Sequence, residues 1–463
     1  MKPFLPLAGL IFLAAIFRVD AQTFAYTSLH VFSAQSGVAM TNSDGADSVT
    51  GLTLSSNVLY GMARLGGISN YGTIFKLNTD GTGFTTLYSF TNGTDGGNPG
   101  GGSIPLVVSG NALYGVTGFG GTNVPRKGAV FRINADGTGF TNLYSFHGSD
   151  GQNPSAGLTL SGNTLYGTAF GGGGTGKHGT VFTINIDGSG FATLFAFSGT
   201  NGSDPVAPMI LSGNTLLGTT RNGGTNAAGS IFRIDTDGNN FTNLYSFTGG
   251  LDGYLPESAL AISTNILFGT TTAGGISNYG TIFRINTDGS GFGVLHQFTS
   301  TYDAGEPFCG PVLVSNVLYG DALAGNSSSS NWGTIYEVNP DGNGFTNVYN
   351  FTGGSDGAGP GGTLVFGGNT FYGTTAAGGI GFGTNGNGTI FALTFPVSLN
   401  LTQSAGNLTV SWPSPSTGFT LQTNGNLASG NWANYGTATD DGTNKSATIS
   451  SPAGNLFFRL SHP

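Results

Sequence analysis

One nineteen-residue stretch, Gly72-Thr-Ile-Phe-Lys-Leu-Asn-Thr-Asp-Gly-Thr-Gly-Phe-Thr-Thr-Leu-Tyr-Ser-Phe90, recurs with substitutions at 128–146, 179–197, 229–247, 280–298 and 333–351, and begins a seventh time at Gly388. Measured on the aromatic at its fourth position (75, 131, 182, 232, 283, 336 and 391), successive copies stand 56, 51, 50, 51, 53 and 55 residues apart. A period this regular means that one small unit, unable to bury its own apolar side chains, is stacked against copies of itself.

A second block falls between these copies. Asn57-Val-Leu-Tyr-Gly61 returns at Asn111, Asn163, Asn214, Asn265, Asn316 and Asn369, each time preceded by an alternating run such as Leu52-Thr-Leu-Ser. One unit therefore reads as four short strands, which we call A to D, joined by Gly, Asn and Asp turns. In strand C, Phe75 and Leu77 face one way and Ile74 the other, so both faces are apolar, as stacking on two neighbours requires. The seventh copy breaks off at Pro396 without a strand D. Tyr26-Thr-Ser-Leu-His-Val-Phe32 aligns with Phe84-Thr-Thr-Leu-Tyr-Ser-Phe90, a strand D with no unit in front of it. The expectation is an all-β chain: a seven-bladed β-propeller over 22–396, closed by its N-terminal strand, with no open sheet edge between its ends. An open solenoid, the alternative, would leave both orphan halves unexplained.

The motif Gly-Thr-Ile-Phe-x-Leu-Asn-x-Asp-Gly-x-Gly-Phe-x-x-Leu-Tyr-x-Phe resembles the GloVer-type tandem repeat family of exported bacterial proteins, over residues 24 to 395. The resemblance implies an exported protein with a variable C-terminal attachment. It carries over no functional residue and no biochemical activity.

Around this frame the chain is poor in charge. Of 463 residues only 8% are charged, with a net charge of −9, which argues against nucleic acid as a partner. Lys2, the apolar run Phe4–Phe17 and the small residues before Gln22 read as a signal peptide over 1–21, predicting a secreted or cell-surface protein without a membrane span in the mature chain. Cys309, the sole cysteine, reads as a buried apolar residue. From 397 to 463 the repeats stop, and short alternating strands around Trp412 and Trp432 suggest a small immunoglobulin- or fibronectin-like β-sandwich.

Most aromatic residues, 32 of 54, fall in five repeat columns and are expected in the core. Asp80, Asp136, Asp187, Asp237, Asp288 and Asp341 sit in Asp-Gly turns between strands C and D, where a hairpin role outweighs calcium binding. Asp44, Asp95, Asp150, Asp204, Asp252, Asp303 and Asp356 occur once per unit before strand A and are expected to cap their turns. Gly171–Lys177 resembles a phosphate loop by letter, but His178 stands where Ser or Thr is needed and a strand follows.

Charges outside the repeat are the candidates for function. Arg64, Arg126, Lys127, Lys177, His178 and Arg221 fall on B-to-C loops; Glu257, Asp303, Glu306 and Asp321 are read onto the same edge, formed by the D-to-A and B-to-C loops. The resulting reading is a non-enzymatic binding or scaffolding protein, monomeric and without cofactor or metal. It would recognise a polysaccharide or a surface protein with Arg64, Arg126, Lys127, Lys177, Arg221, Asp303, Glu306 and Asp321. The alternatives are a polysaccharide hydrolase or lyase using Glu306 and Asp321, and a structural cell-surface protein.

Overall fold

The computed structural model describes residues 24–461 except 49, 101–104, 300–302, 304, 324–331, 381–385, 396–398, 405, 414–419, 427–428, 430, 442–443 and 451–455. The expected signal peptide lies outside the described residues. The chain divides into two compact units, Ala25–Thr394 and a second that contains Phe395–Pro463. No α-helix occurs among the described residues.

The larger unit contains seven antiparallel sheets built on one plan, strands A to D side by side, and two of them carry a further short strand on strand B, Gly97–Pro99 or Ala358–Pro360. In the first, A is Thr53–Ser55, B is Val58–Ala63, C is Thr73–Asn78 and D is Thr85–Ser89. The sheet assembled from Val365–Gly367, Thr370–Ala377 and Thr389–Thr394 has no fourth strand of its own. Ala25–Val31 fills that position, pairing antiparallel from Ala25 opposite Thr394 to Val31 opposite Thr389. The orphan halves read from the sequence meet.

Neighbouring sheets share their cores. Met62 and Ile74 of the first sheet pack with Leu113 and Phe131 of the second. Leu59, Phe75 and Leu77, on the opposite face of the first sheet, pack with Phe32, Tyr372 and Ile390 of the seventh. The alternation in strand C predicts this division, since successive side chains point to opposite faces. A buried threonine hydroxyl at the end of strand B often ties one sheet to the next. Thr219 donates to Ser258 O (3.1 Å), Thr270 to Pro307 O (3.2 Å), and Thr374 of the seventh sheet to Thr50 O beside the first (3.0 Å).

The fourth strand of every sheet carries a bulge against strand C, as between Ile74 and Phe75 opposite Tyr88 and Thr86. The bulge turns the carbonyl of the unpaired leucine outward, where the Asp-Gly turn of the next unit packs on it. Gly137 has φ +89°, and a Cβ there would lie 2.8 Å from Leu87 O, so only glycine fits this junction. The Asp-Gly aspartates serve their own turns: Asp80 Oδ1 accepts from Thr82 N (2.9 Å) and Thr82 Oγ1 (2.6 Å), and these bonds hold its pKa below the usual range.

The smaller unit has a four-stranded sheet (Asn400–Ser404, Asn407–Pro413, Asn444–Ser450 and Thr439–Asp440) and a three-stranded one (Ala433–Asn434, Thr420–Asn424 and Phe457–Ser461). Val410, Trp412 and Ile449 of the first share a core with Leu421, Phe458 and Leu460 of the second. Trp412 is thus a core residue. Trp432 has the Arg459 guanidinium 4.5 Å over its ring.

Candidate functional site

The B-to-C and D-to-A connections leave the larger unit's sheets along one edge. A repeated internal structure holds them. In six units an aspartate before strand A accepts from the backbone N–H two residues past the preceding strand D: Ser33 to Asp44 (2.9 Å), Thr91 to Asp95 (2.9 Å), His147 to Asp150 (2.8 Å), Thr248 to Asp252 (2.8 Å), Thr299 to Asp303 (2.9 Å) and Thr352 to Asp356 (2.8 Å). The capping expectation fails at one residue, Asp204. There the cap is Asn201, whose Oδ1 accepts from Ser198 N at 2.8 Å, while Asp204 accepts from Asn222 Nδ2 at 2.9 Å.

The exception has a chemical cause. In the six other units the carboxylate also meets a ring donor from strand D. Tyr88, Tyr245 and Tyr349 donate to Asp95, Asp252 and Asp356 at 3.3, 3.0 and 3.0 Å, Tyr144 donates to Asp150, and His30 and His296 face Asp44 and Asp303 at 3.1 and 2.9 Å. On the strand D that leads into the fourth unit, that of the third sheet, the column holds Phe195, which has nothing to donate. A half-buried carboxylate there would keep the backbone donor but lack the ring donor of the other units, and a neutral amide stands in its place. Asp303, named above as a candidate ligand, has both oxygens engaged by its turn and by His296. Burial would raise its pKa, but the bonds from His296 and Thr299 outweigh that and lower it.

The candidate cations divide into two groups. Arg64 is paired with Asp47. Arg221 Nε lies 2.5 Å from Glu257 Oε1, and Glu257, whose side chain is 7% exposed, also accepts from Thr272 at 3.1 Å. Burial raises the Glu257 pKa; Arg221 and Thr272 pull it back only in part. Arg126 reaches a neutral group, the Asn92 carbonyl, at 2.7 Å. Lys127 is half-buried and Lys177 exposed, and no carboxylate pairs with either among the described residues. His178 contacts Ser203 Oγ at 3.1 Å.

The two acids proposed for catalysis occupy different environments. Glu306 is exposed and left-handed (φ +56°), and its N–H donates to Tyr279 O of the preceding unit at 2.8 Å. Asp47, Asn98, Asn153, Asp204 and Leu255 share this conformation at the same place in their units, so its backbone role belongs to the repeat. Asp321 is not a loop-edge charge. It lies within strand Val317–Ala322, opposite Ile335, and is 1% exposed. Burial pushes its pKa up to about 8, with the Cys309 thiol opposing the shift. Tyr336, fully buried, stands where the other units have Phe, so the sixth unit alone encloses a thiol, a carboxyl and a phenol. Cys309 is buried as expected.

Residues 12–173 and 124–331 match the Gloeobacter/Verrucomicrobia repeat. The chain belongs to that family. No curated protein matches it. Among solved structures, this Gloeobacter/Verrucomicrobia repeat protein is similar to a nidogen/laminin complex chain (14% identity, 61% of this chain and 88% of that one, TM-score 0.38). It is also similar to TolB from Acinetobacter baumannii (14%, 60% and 59%, 0.36) and to oligogalacturonate lyase from Vibrio parahaemolyticus (8%, 81% and 97%, 0.46). No helix among the described residues is long and apolar enough to cross a membrane. No group of three metal-ligating side chains occurs among them either.

Proposed function

We propose that the seven sheets are the blades of a closed β-propeller, that the tail is a small β-sandwich that spaces or attaches it, and that the protein is exported and acts without catalysis, recognising a glycan or a protein at the loop edge. The single observation that carries this reading is the placement of the unrepeated charges. Arg126, Lys127 and Lys177 gather on loops of neighbouring units along one edge, and no carboxylate pairs with them among the described residues. An anionic or hydroxyl-rich partner suits these donors. Hydrolysis is the second reading. It draws on the exposed carboxyl of Glu306, but its intended partner Asp321 is enclosed in the sheet.

Incubation of the purified chain with a panel of plant and algal polysaccharides, scoring both retention and new reducing ends, tests the proposal. Retention without cleavage, lost in Arg126→Ala and Lys177→Ala, is the expected outcome. Cleavage that disappears in Glu306→Gln would overturn it in favour of the hydrolase.

A further inference from the structure

Six junctions between units carry the same short backbone ladder at the loop edge. The carbonyl of the residue before strand C accepts from the D-to-A loop of the next unit: Asn98 N to Tyr71 O at 2.9 Å, Asn153 to Lys127 at 2.7 Å, Asp204 to His178 at 3.0 Å, Leu255 to Ala228 at 3.3 Å, Glu306 to Tyr279 at 2.8 Å and Gly359 to Trp332 at 2.9 Å. On its other side that loop pairs with the end of its own strand B, as Gly97 with Phe119, Gln152 with Gly171, Ser203 with Asn222, Tyr254 with Ala273 and Ala358 with Ala377. The backbone is constant while the two flanking columns hold side chains from Gly to Trp, so folding sets no requirement on them.

At the junction of the first and second units both columns are aromatic. Tyr71 and Phe119 are also the exposed Phe, Tyr or Trp residues among those described, at 42% and 48%. They flank the segment Gly97-Asn98 on either side, with Cα atoms about 10 Å apart, two interstrand spacings. Their side chains converge. Alternation along Ala112–Phe119 puts Phe119 on the side of Leu113, which packs against the first sheet. The Tyr71 column leans the opposite way, onto the D-to-A loop of the next unit: a Cβ on Gly199 would meet His178 Nε2 at 3.0 Å, and one on Gly353 would meet Trp332 Cδ2 at 2.6 Å. Arg126, exposed, enters from a third side, its Nη1 donating to Asn92 O of the same loop at 2.7 Å.

Between the rings the floor is bare peptide, since a Cβ on Gly118 would meet only Asn98 O, at 3.5 Å. Loop length accounts for exposure in general. It does not account for two rings and a guanidinium meeting at one glycine-floored slot, where other junctions pair Lys127 with Gly171, His178 with Asn222 and Ala228 with Ala273. Aromatic planes take the C–H faces of a pyranose, and a guanidinium beside them takes its oxygens. The one carboxylate of this loop, Asp95, has both oxygens engaged by Thr91, Gly93 and Tyr88, so the slot binds and does not cleave. We infer that this junction is the glycan subsite of the loop edge, with hexopyranose residues stacked on Tyr71 and Phe119 and Arg126 donating to their oxygens. The inference rests on the loop edge being the recognition surface and assigns the ligand class and its place.

Affinity electrophoresis of the full chain through native gels holding alginate, galacturonan, xylan or laminarin, one at a time, tests it. At least one of the four should retard the intact protein. Tyr71→Ala and Phe119→Ala should each raise the apparent Kd about tenfold. Alanine already stands in both columns, as Ala228 and Ala377, so the melting temperatures should match that of the intact chain. Tyr71→Phe and Phe119→Tyr should keep the retardation, as should Leu251→Ala, exposed elsewhere on the edge. Unchanged retardation in the two alanine variants, or an equal loss in Leu251→Ala, would overturn the slot. If Lys177→Ala abolished retardation while both alanine variants kept it, the slot would fall and the loop-edge reading would stand. No retardation of the intact chain by any of the four would sink the slot and a glycan partner together.

Discussion

Tyr26, on the strand that precedes every complete unit, donates its hydroxyl hydrogen to the carbonyl of Asp356 at 2.6 Å and stacks on Tyr349 with ring centroids 4.7 Å apart. The partners are more than three hundred residues away, yet the contact is of a kind found between all consecutive units. Tyr88 stacks on Phe140 at 4.3 Å, Tyr144 on Phe191 at 3.6 Å, Phe195 on Phe241 at 3.9 Å, Tyr245 on Phe292 at 3.8 Å and His296 on Phe345 at 3.8 Å. His30 on Phe84, at 3.6 Å, continues the series from the seventh sheet to the first. The ends of the larger unit are therefore joined by the same interaction that joins its middle, with no disulfide.

That continuity makes Tyr26 as costly to lose as an internal ring. Tyr26→Ala removes a stack, a hydrogen bond and contact with Phe391, and should destabilise the larger unit by about 3 kcal/mol, the range for truncating a buried aromatic. Equilibrium denaturation of the variant beside Phe140→Ala checks this, with similar losses expected.

Strand B has a glycine facing the strand C aromatic in every unit. A Cβ on Gly115 would lie 2.5 Å from Phe131 Cζ and 2.9 Å from Leu106 Cδ2. Gly115→Ala should destabilise by about 1–3 kcal/mol through overpacking. A matched Gly110→Ala separates packing from backbone strain, because Gly110 has φ +58° with open space around it. Denaturant midpoints of the two variants are the measurement.

Two sets of carboxyls give stability opposite dependences on pH. The pKa values of Asp44, Asp150 and Asp303 are lowered, burial being outweighed by hydrogen bonds, so their contribution is present above the unfolded value near pH 4 and is lost as pH falls through the folded values. Urea midpoints should drop below about pH 4, and less steeply in Asp303→Asn.

Asp321 works the other way. With its pKa raised to about 8, the folded state holds a proton that the unfolded chain releases near pH 4, so this residue reduces stability as pH rises from about 4 to 8. Asp321→Asn keeps the shape and removes the titration. Its advantage over the natural chain should grow by up to about 1 kcal/mol per pH unit across that window. Melting temperatures at the two ends of the window check it.

The architecture was legible because each column of the repeat is a packing position sampled seven times. Tyr26 could be aligned with Phe84, and Phe75 with the other strand C aromatics, before any coordinates. The site was less legible because its residues are the departures from those columns, each sampled once. Asp204 and Asn201 both lie near the capping position, and only the loss of a donor at Phe195 decides between them. Asp321 reads as an unrepeated charge, yet strand alternation points it into the sheet interface that Met62 and Thr270 occupy elsewhere. The pairing of Arg221 with Glu257 crosses from one unit to the next, beyond any spacing rule. The exposed rings of Tyr71 and Phe119 sit among glycine and polar residues and were masked by a composition whose aromatic content belongs mostly to the core.

Closure by Ala25–Val31 is the central claim, and native-state hydrogen exchange on the intact chain tests it most directly. The amides of Ala25–Val31 that pair with Thr389–Thr394 should be protected as strongly as those of the equivalent internal strand Thr141–Ser145, and should exchange only with the unfolding of the whole unit. Rapid exchange of Ala25–Val31, as of a fraying terminus, while Thr141–Ser145 stays protected, would contradict it.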